Sequence, residues 1–177
     1  MNFAEIKYND IANGIGVRTS LFVSGCTHHC KECFNPMTWD FAYGRVFNEE
    51  VENAIIDSLK PAYISGLTML GGEPMEPFNQ EALLPFYKRI RSECPGKSIW
   101  IYSGYTWEQL TDPSYTRAYT PFTSEILELI DILVDGEFEL EKKSLGLRFR
   151  GSSNQRIIDV PATLRAGKVV LSQYSDR

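Results

Sequence analysis

The chain has 177 residues, of which 43% are hydrophobic and 23% are charged, with a formal net charge of −5 and a sequence pI of about 5.1. This length predicts one domain with a well-buried core, and the acidic balance argues against a nucleic-acid-binding protein, which usually carries a basic patch or stripe. We find neither a signal peptide nor an apolar run of 18 residues, so we expect no membrane association and a cytoplasmic location.

The apolar pattern predicts strands that alternate with helices. Residues 1–16 show no regular pattern and end in a glycine-containing turn. Strands are predicted at 17–24, 64–70, 98–102 and 132–134, with short candidates at 147–150 and 157–160. Helices are predicted at 47–60, 79–93, 106–110 and 124–130, the first two capped by Asn48 and Asn79. The remaining segments are predicted to be a loop at 111–120, an exposed charged segment at 138–144 and a frayed polar tail at 172–177.

This alternation indicates an α/β fold with a parallel sheet and right-handed crossovers. In such sheets ligands bind beyond the carboxyl ends of the strands. The unusual loops at 25–33, 71–74, 103–105 and 135–136 all follow predicted strands. We therefore expect them to meet at one edge of the sheet.

Three of the four cysteines, Cys26, Cys30 and Cys33, occur in one short loop, and Cys94 is distant. Thiols stay reduced in the cytosol, where clustered cysteines indicate metal binding or catalysis rather than disulfides. Soft thiolates select zinc, copper(I) or iron–sulfur clusters. Cys94 is predicted to be a quiet, semi-buried thiol.

Zinc and iron–sulfur clusters make different demands on this loop. A structural zinc site needs four protein ligands, so His28, His29 or Cys94 would have to complete it. A Cys3His zinc-binding interaction module is thus geometrically possible, although the chain has no second ligand motif and both histidines are predicted to be exposed. A [4Fe–4S] cluster usually takes four thiolates, and three would leave one iron open, as a catalytic cluster requires.

The Cys26-x3-Cys30-x2-Cys33 spacing resembles the motif of the radical S-adenosylmethionine (SAM) enzymes. Gly71-Gly72-Glu73-Pro74 resembles that family's second, glycine-rich motif. A longer similarity, to the activating proteins of anaerobic (class III) ribonucleoside-triphosphate reductase, is carried by the segments 13–26, 33–35, 38–39, 100–105, 133–136 and 150–155.

The resemblance implies one radical SAM domain over residues 1–177, folded as a partial TIM-like β/α barrel with the [4Fe–4S] loop after the first strand. It implies reductive cleavage of SAM to a 5′-deoxyadenosyl radical, which generates a glycyl radical on the anaerobic reductase. The electron would come from a one-electron donor such as flavodoxin. An alternative partner is another glycyl-radical enzyme, such as pyruvate formate-lyase.

Site residues follow from the same resemblance, and no side-chain acid or base is required. Cys26, Cys30 and Cys33 would ligate the cluster. The methionine amino group would be held by Gly71, Gly72 and Glu73. The nucleoside would lie against Glu32, Cys33 and Phe34, and the methionine carboxylate and ribose hydroxyls would contact Ser103 and Asp135. Arg150 and residues 151–155 would bind SAM or the reductase, or form a polar turn.

Overall fold

Seven strands form one mixed sheet in the computed structural model, which describes residues 1–175. They are β1 (Asn2–Asp10), β2 (Val17–Val23), β3 (Arg45–Val46), β4 (Ile64–Gly71), β5 (Ser98–Tyr102), β6 (Ile132–Asp135) and β7 (Arg156–Asp159). Their order across the sheet is β3-β1-β2-β4-β5-β6-β7. The central strands β2, β4, β5 and β6 are parallel, whereas β1, β3 and β7 pair antiparallel at the two sides. The predicted parallel sheet is therefore confirmed for its centre only.

The N-terminal strand β1 was not predicted. It pairs with β2, but register shifts between Phe3 and Glu5 and between Lys7 and Asp10 interrupt the ladder. Because such irregularities break the two-residue alternation, the sequence shows no strand pattern here. The cysteine loop consequently follows the second strand of the chain, and its predicted place after the first strand is wrong.

Residues 1–175 contain five α-helices: α1 (Glu49–Leu59), α2 (Pro77–Glu93), α3 (Trp107–Thr111), α4 (Thr123–Glu128) and α5 (Val160–Ala166). The first four lie between strands, and α5 follows β7. Short 3₁₀ turns occur at Pro36–Trp39 and Leu140–Lys142. The predicted cap of α1 is confirmed, because the Asn48 side chain accepts a hydrogen bond from the N–H of Val51 at 3.1 Å. Within the described residues, none of the helices has the length and apolarity needed to cross a membrane.

Helix α2 begins at Pro77, two residues before the predicted cap. Asn79 instead lies inside the first turn and is fully buried. Its side-chain amide donates to the carbonyls of Ser24 at 3.0 Å and Glu73 at 2.9 Å. The residue therefore joins the end of β2 to the loop after β4 rather than capping a helix.

The two faces of the sheet are covered differently. Alternate strand residues such as Ile99 and Ile101 face the main core on the helix side, whereas Trp100 belongs to a smaller apolar cluster on the opposite face. Ile15, Phe149 and Tyr174 pack on that smaller cluster. They come from the turn before β2, from a segment before β7 and from the C-terminal tail.

Two of the segments that cover this smaller cluster, at 147–150 and in the C-terminal tail, differ from their predicted structures. Residues 147–150 do not form the predicted strand. Arg150 instead donates to the carbonyls of Gln155 at 2.9 Å and Ser175 at 2.8 Å, and the Ser175 hydroxyl donates to the carbonyl of Ile157. The predicted frayed tail is thus anchored as far as Ser175, and its last two residues lie outside the described residues.

On the face of the sheet opposite the helices, a buried arginine of β2 hydrogen-bonds to residues of β4 and β5. Arg18 is 1% exposed and donates to Thr68 Oγ1 at 2.7 Å, to the carbonyl of Leu67 at 2.7 Å and to the carbonyl of Ser98 at 3.1 Å. Its guanidinium lies 5.2 Å from the centre of the Trp100 ring. Burial lowers the pKa of Arg18 to about 10, so the group remains a cation at neutral pH.

Candidate functional site

A cavity of about 510 Å³ lies at the carboxyl ends of the parallel strands. It brings together every predicted site residue except Asp135: Cys26, Cys30, Glu32, Cys33, Phe34, Gly71, Gly72, Glu73 and Ser103. Leu70 near the end of β4 and most residues of segment 143–151 also line it. The expectation that the strand-end loops meet at one edge is confirmed, because the loops at 25–33, 71–74 and 103–105 line this cavity and the loop at 135–136 contributes Gly136 to it.

The glycine-rich turn is joined to the start of the cysteine loop. The N–H of Gly72 donates to the carbonyl of Val23, and the N–H of Glu73 donates to the carbonyl of Gly25, both at 2.8 Å. A Cβ at position 72 would lie 2.6 Å from the carbonyl oxygen of Gly25 and 2.9 Å from that of Thr38. Glycine is therefore required at this position by the packing of the two loops, independently of any ligand.

Glu73 is buried at the centre of the strand-end loops. One carboxylate oxygen accepts from the N–H of Met75 at 2.8 Å, and the other accepts from the N–H of Gly104 at 2.6 Å and lies 3.1 Å from His28 Nε2. With a side chain only 2% exposed, the carboxylate is satisfied by these groups. Glu73 therefore holds the loops after β2, β4 and β5 in one arrangement.

His28 lies between the first two cysteines, and its predicted exposure is wrong. Its side chain is only 4% exposed, and Nδ1 lies 2.5 Å from Glu137 Oε1 while Nε2 faces Glu73. The ring packs on Tyr105 at 4.3 Å, in a space that a Cβ at Gly104 would fill. Burial alone would lower the pKa of His28, but the two carboxylates outweigh it and raise the pKa. No local pattern indicates this burial, because both acidic partners are distant along the chain.

His29 is exposed, as predicted, and stacks on Trp39 with ring centres 4.6 Å apart. Because both nitrogens of His28 face carboxylates, that histidine is not directed at the cysteines as a fourth ligand. These contacts do not favour the Cys3His zinc site.

The three thiols fit an iron–sulfur cluster by chemistry and position. Burial, and then the Glu73 carboxylate, raise the pKa of Cys26 to about 12, and burial and Glu137 raise the pKa of Cys30. The Cys26 and Cys30 thiols therefore stay protonated at neutral pH without a metal, and ligation of a metal would release their protons. Among residues 1–175, no group of three or more His, Cys, Asp and Glu side chains is arranged around a single metal ion. The fit thus rests on the donor set and on its place at the cavity.

The loop at 111–120, whose role the sequence did not reveal, contacts the cysteine loop from outside. Arg117 donates to the carbonyl of Thr27 at 2.9 Å, and its guanidinium lies 5.7 Å from the centre of the Tyr105 ring. The N–H and hydroxyl of Thr27 both donate to Glu76 Oε1 at 2.7 Å. The first half of the cysteine loop is therefore fixed, while Lys31, Glu32 and Phe34 in the second half are exposed.

Asp135 is buried but does not line the cavity, so its predicted contact with SAM is not supported. Arg156 donates through Nε to Oδ1 at 2.9 Å and through a terminal nitrogen to Oδ2 at 2.5 Å, and the N–H of Trp107 donates to Oδ2 at 2.7 Å. These bonds occupy both oxygens, so Asp135 has a structural role. Cys94 is buried, with Sγ 3.6 Å from the carbonyl oxygen of Ile56, which agrees with the predicted quiet thiol.

Comparison with known proteins agrees with this geometry. Residues 12–158 match the family described as a 4Fe-4S single cluster domain. The chain is 44% identical over 159 residues to the anaerobic ribonucleoside-triphosphate reductase-activating protein of Pasteurella multocida, covering 89% of this chain and 96% of the relative. Identity to the protein of the same name is 40% over 157 residues in Escherichia coli K12 (88% and 96% covered) and 34% over 157 residues in Enterobacteria phage T4 (89% and 93% covered). The chain therefore belongs to the family of anaerobic ribonucleoside-triphosphate reductase-activating proteins, with a 4Fe-4S single cluster domain.

Proposed function

We propose that this chain is a radical SAM activase that generates the glycyl radical of an anaerobic ribonucleoside-triphosphate reductase. The observation that carries the proposal is that one cavity is lined both by the three cysteines and by the turn at Gly71–Glu73. The names of the relatives support this choice of partner over another glycyl-radical enzyme such as pyruvate formate-lyase.

In this proposal Cys26, Cys30 and Cys33 would hold a [4Fe–4S] cluster through their thiolates, and SAM would bind beside it in the same cavity. When bound and reduced, the cluster supplies one electron that cleaves SAM into methionine and the 5′-deoxyadenosyl radical that abstracts hydrogen from the partner's glycine. The protein contributes orientation and the exclusion of water.

Different residues around the cluster bind different parts of SAM. Gly71, Gly72 and Glu73 hold the methionine amino group, chiefly through backbone atoms, since the Glu73 carboxylate already has three partners. Ser103 holds the methionine carboxylate or a ribose hydroxyl. Glu32 and Phe34 flank the nucleoside at the cavity mouth, where Phe34 is 77% exposed. An exposed face beside a reactive radical site must be closed, and the partner reductase is suited to close it.

The proposal also includes an external electron donor, the type of domain and a cytoplasmic location. Lys31 and Glu32, between the second and third cysteines, are exposed, so an external one-electron donor such as flavodoxin can approach the cluster there. We further propose that residues 1–177 form one radical SAM domain of the partial TIM-like barrel type, whose curved inner face bears the cavity. A cytoplasmic setting suits reduced thiols, and the acidic composition supports neither nucleic acid nor membrane as a partner.

The test is anaerobic reconstitution followed by activation of the partner. We expect a brown protein with about four irons per chain, as one [4Fe–4S] cluster requires. After reduction and addition of SAM and the reductase, electron paramagnetic resonance should show a glycyl radical. Pyruvate formate-lyase in place of the reductase should give none. A colourless protein that binds zinc but not iron would refute the proposal and favour the zinc module.

A further inference from the structure

One segment of the chain separates the site cavity from a second cavity. This segment, residues 144–149, is called the strap below. It includes Leu147 and Phe149, which line both the site cavity and a neighbouring cavity of about 600 Å³. Most residues of the segment 11–17, around the turn before β2, also line the second cavity. The strap is therefore a thin wall with open space on two sides, and its movement would join the two cavities into one groove.

The strap is held only weakly by its own backbone. Two of its backbone hydrogen bonds, from Ser144 N–H to the carbonyl of Gly151 and from Leu147 N–H to that of Ser144, are long, at 3.3 and 3.4 Å. Leu145 is 96% exposed. Phe149 has a φ of +57°, a left-handed conformation that is unfavourable for a bulky side chain. A strained conformation persists only where surrounding contacts hold it, so the strap depends on its neighbours.

The C-terminal tail supplies contacts that hold the strap in place. The ring of Tyr174 lies 5.7 Å from the centre of the Trp100 ring, and Phe149 meets the same ring edge-on at 5.6 Å. Directly after the strap, Arg150 donates to the carbonyl of Ser175 at 2.8 Å. The tail is itself attached to β7 through the Ser175 hydroxyl. Tail and strap are thus packed together on one face of the sheet.

We propose that the strap is a gate on the site cavity, that the tail holds it shut through Tyr174, and that the partner's glycine-bearing loop enters when it opens. This inference rests on the proposed function for the identity of the loop. A volume of about 510 Å³ is typical of a pocket for one small ligand, so the site cavity does not hold SAM and a protein loop together. Opening the strap adds the second cavity. Tyr174 lines neither cavity and is therefore a positioning residue.

Trypsin cleavage after Arg150 reports on the gate without SAM or the partner. The protease must bind the Arg150 side chain, which first has to leave the carbonyl of Ser175. Cleavage of this kind follows the population of the open form. In the cluster-loaded protein, Tyr174→Ala removes the ring from Trp100, and we expect cleavage after Arg150 to become at least about tenfold faster. Cleavage after Lys88 inside α2 should keep its wild-type rate, because it requires that helix to unfold.

The tail offers two matched controls. Tyr174→Phe keeps the ring against Trp100 and loses only a hydroxyl whose contact with Gln173 is long, at 3.4 Å. Gln173→Ala changes the exposed neighbour of Tyr174 in the same tail. Both variants should be cleaved after Arg150 at the wild-type rate.

The kinetics of glycyl-radical formation test the route of the partner. A closed gate weakens the apparent affinity for the partner in proportion to the fraction of molecules that are open. Tyr174→Ala should therefore lower the KM for the reductase about 2- to 10-fold, and raise the KM for SAM, whose cavity loses part of its wall. General damage to the fold would raise both values. Tyr174→Phe should restore both to those of the wild type.

The contradicting outcomes are distinct. Wild-type cleavage after Arg150 in Tyr174→Ala, or an equal rise after Lys88, would overturn the gate and leave the proposed function intact. Faster cleavage after Arg150 together with a raised KM for the reductase would show that the partner's loop does not enter through the strap, which also overturns the inference. Absence of a glycyl radical with the loaded wild-type protein would refute the proposed function itself.

Discussion

Replacing Gly72 by alanine tests the joint between the glycine-rich turn and the cysteine loop. The added Cβ would lie 2.6 Å and 2.9 Å from the carbonyl oxygens of Gly25 and Thr38, well inside the 3.4 Å at which ordinary contact begins. Both obstacles are backbone, so no side chain can rotate away and the loop itself must move. Overpacking of this kind costs about 1–3 kcal/mol.

The expected loss of stability is measurable. In a chain of this size 1 kcal/mol shifts the melting temperature by about 2–4 °C, so Gly72→Ala should melt roughly 2–12 °C lower than wild type. Because Cys26 directly follows Gly25, the same movement should reduce the iron incorporated on reconstitution. Circular dichroism melting and iron analysis measure the two effects.

Gly146→Ala is the control, because its Cβ would meet only Ser144 Oγ, at 3.9 Å. We expect that variant to differ from wild type by less than about 0.5 kcal/mol and to take up full iron. Wild-type melting and full iron content in Gly72→Ala would show that the two loops are not packed as described.

Four further substitutions separate structural from functional residues. Asn79→Ala removes two buried hydrogen bonds and should lower the free energy of unfolding by about 1–3 kcal/mol in urea titrations; an unchanged midpoint would contradict its linking role. Asp135→Asn weakens the charged bonds to Arg156 and should cost about 1.5–3 kcal/mol, with SAM affinity unchanged in titration calorimetry, whereas a stable variant with weakened SAM binding would restore Asp135 to the ligand site. Cys94→Ser should retain the iron that Cys30→Ser loses, and equal iron loss in both would show that the distant thiol is a ligand.

Much of the fold was predictable where a buried strand is rich in β-branched, aromatic and other apolar residues and is bounded by turns. Residues 98–102 were predicted with their observed bounds, and the strands at 17–24 and 64–70 each differ by one residue. Strand β1 was missed because its irregular pairing hides the alternation. Residues 147–150 were assigned to a strand because local propensity does not reveal that they cover a cavity rather than join the sheet.

The site was predictable where its chemistry is local. The three cysteines and the glycine-rich turn are each recognisable from a short stretch of sequence, and residues of both line the cavity. The roles of His28 and Asn79 were not predictable, because each depends on partners from distant parts of the chain. Asp135 was predicted to contact the ligand because it ends a strand, but that position does not reveal that Arg156 binds its carboxylate.

The most direct test of the proposed function follows the hydrogen atom. The partner reductase is labelled with deuterium at the α-carbons of its glycines and incubated with the reduced, cluster-loaded protein and SAM. We predict 5′-deoxyadenosine that carries one deuterium, formed together with the glycyl radical. Formation of the glycyl radical with only unlabelled 5′-deoxyadenosine, or without SAM cleavage, would contradict direct hydrogen abstraction at this cavity.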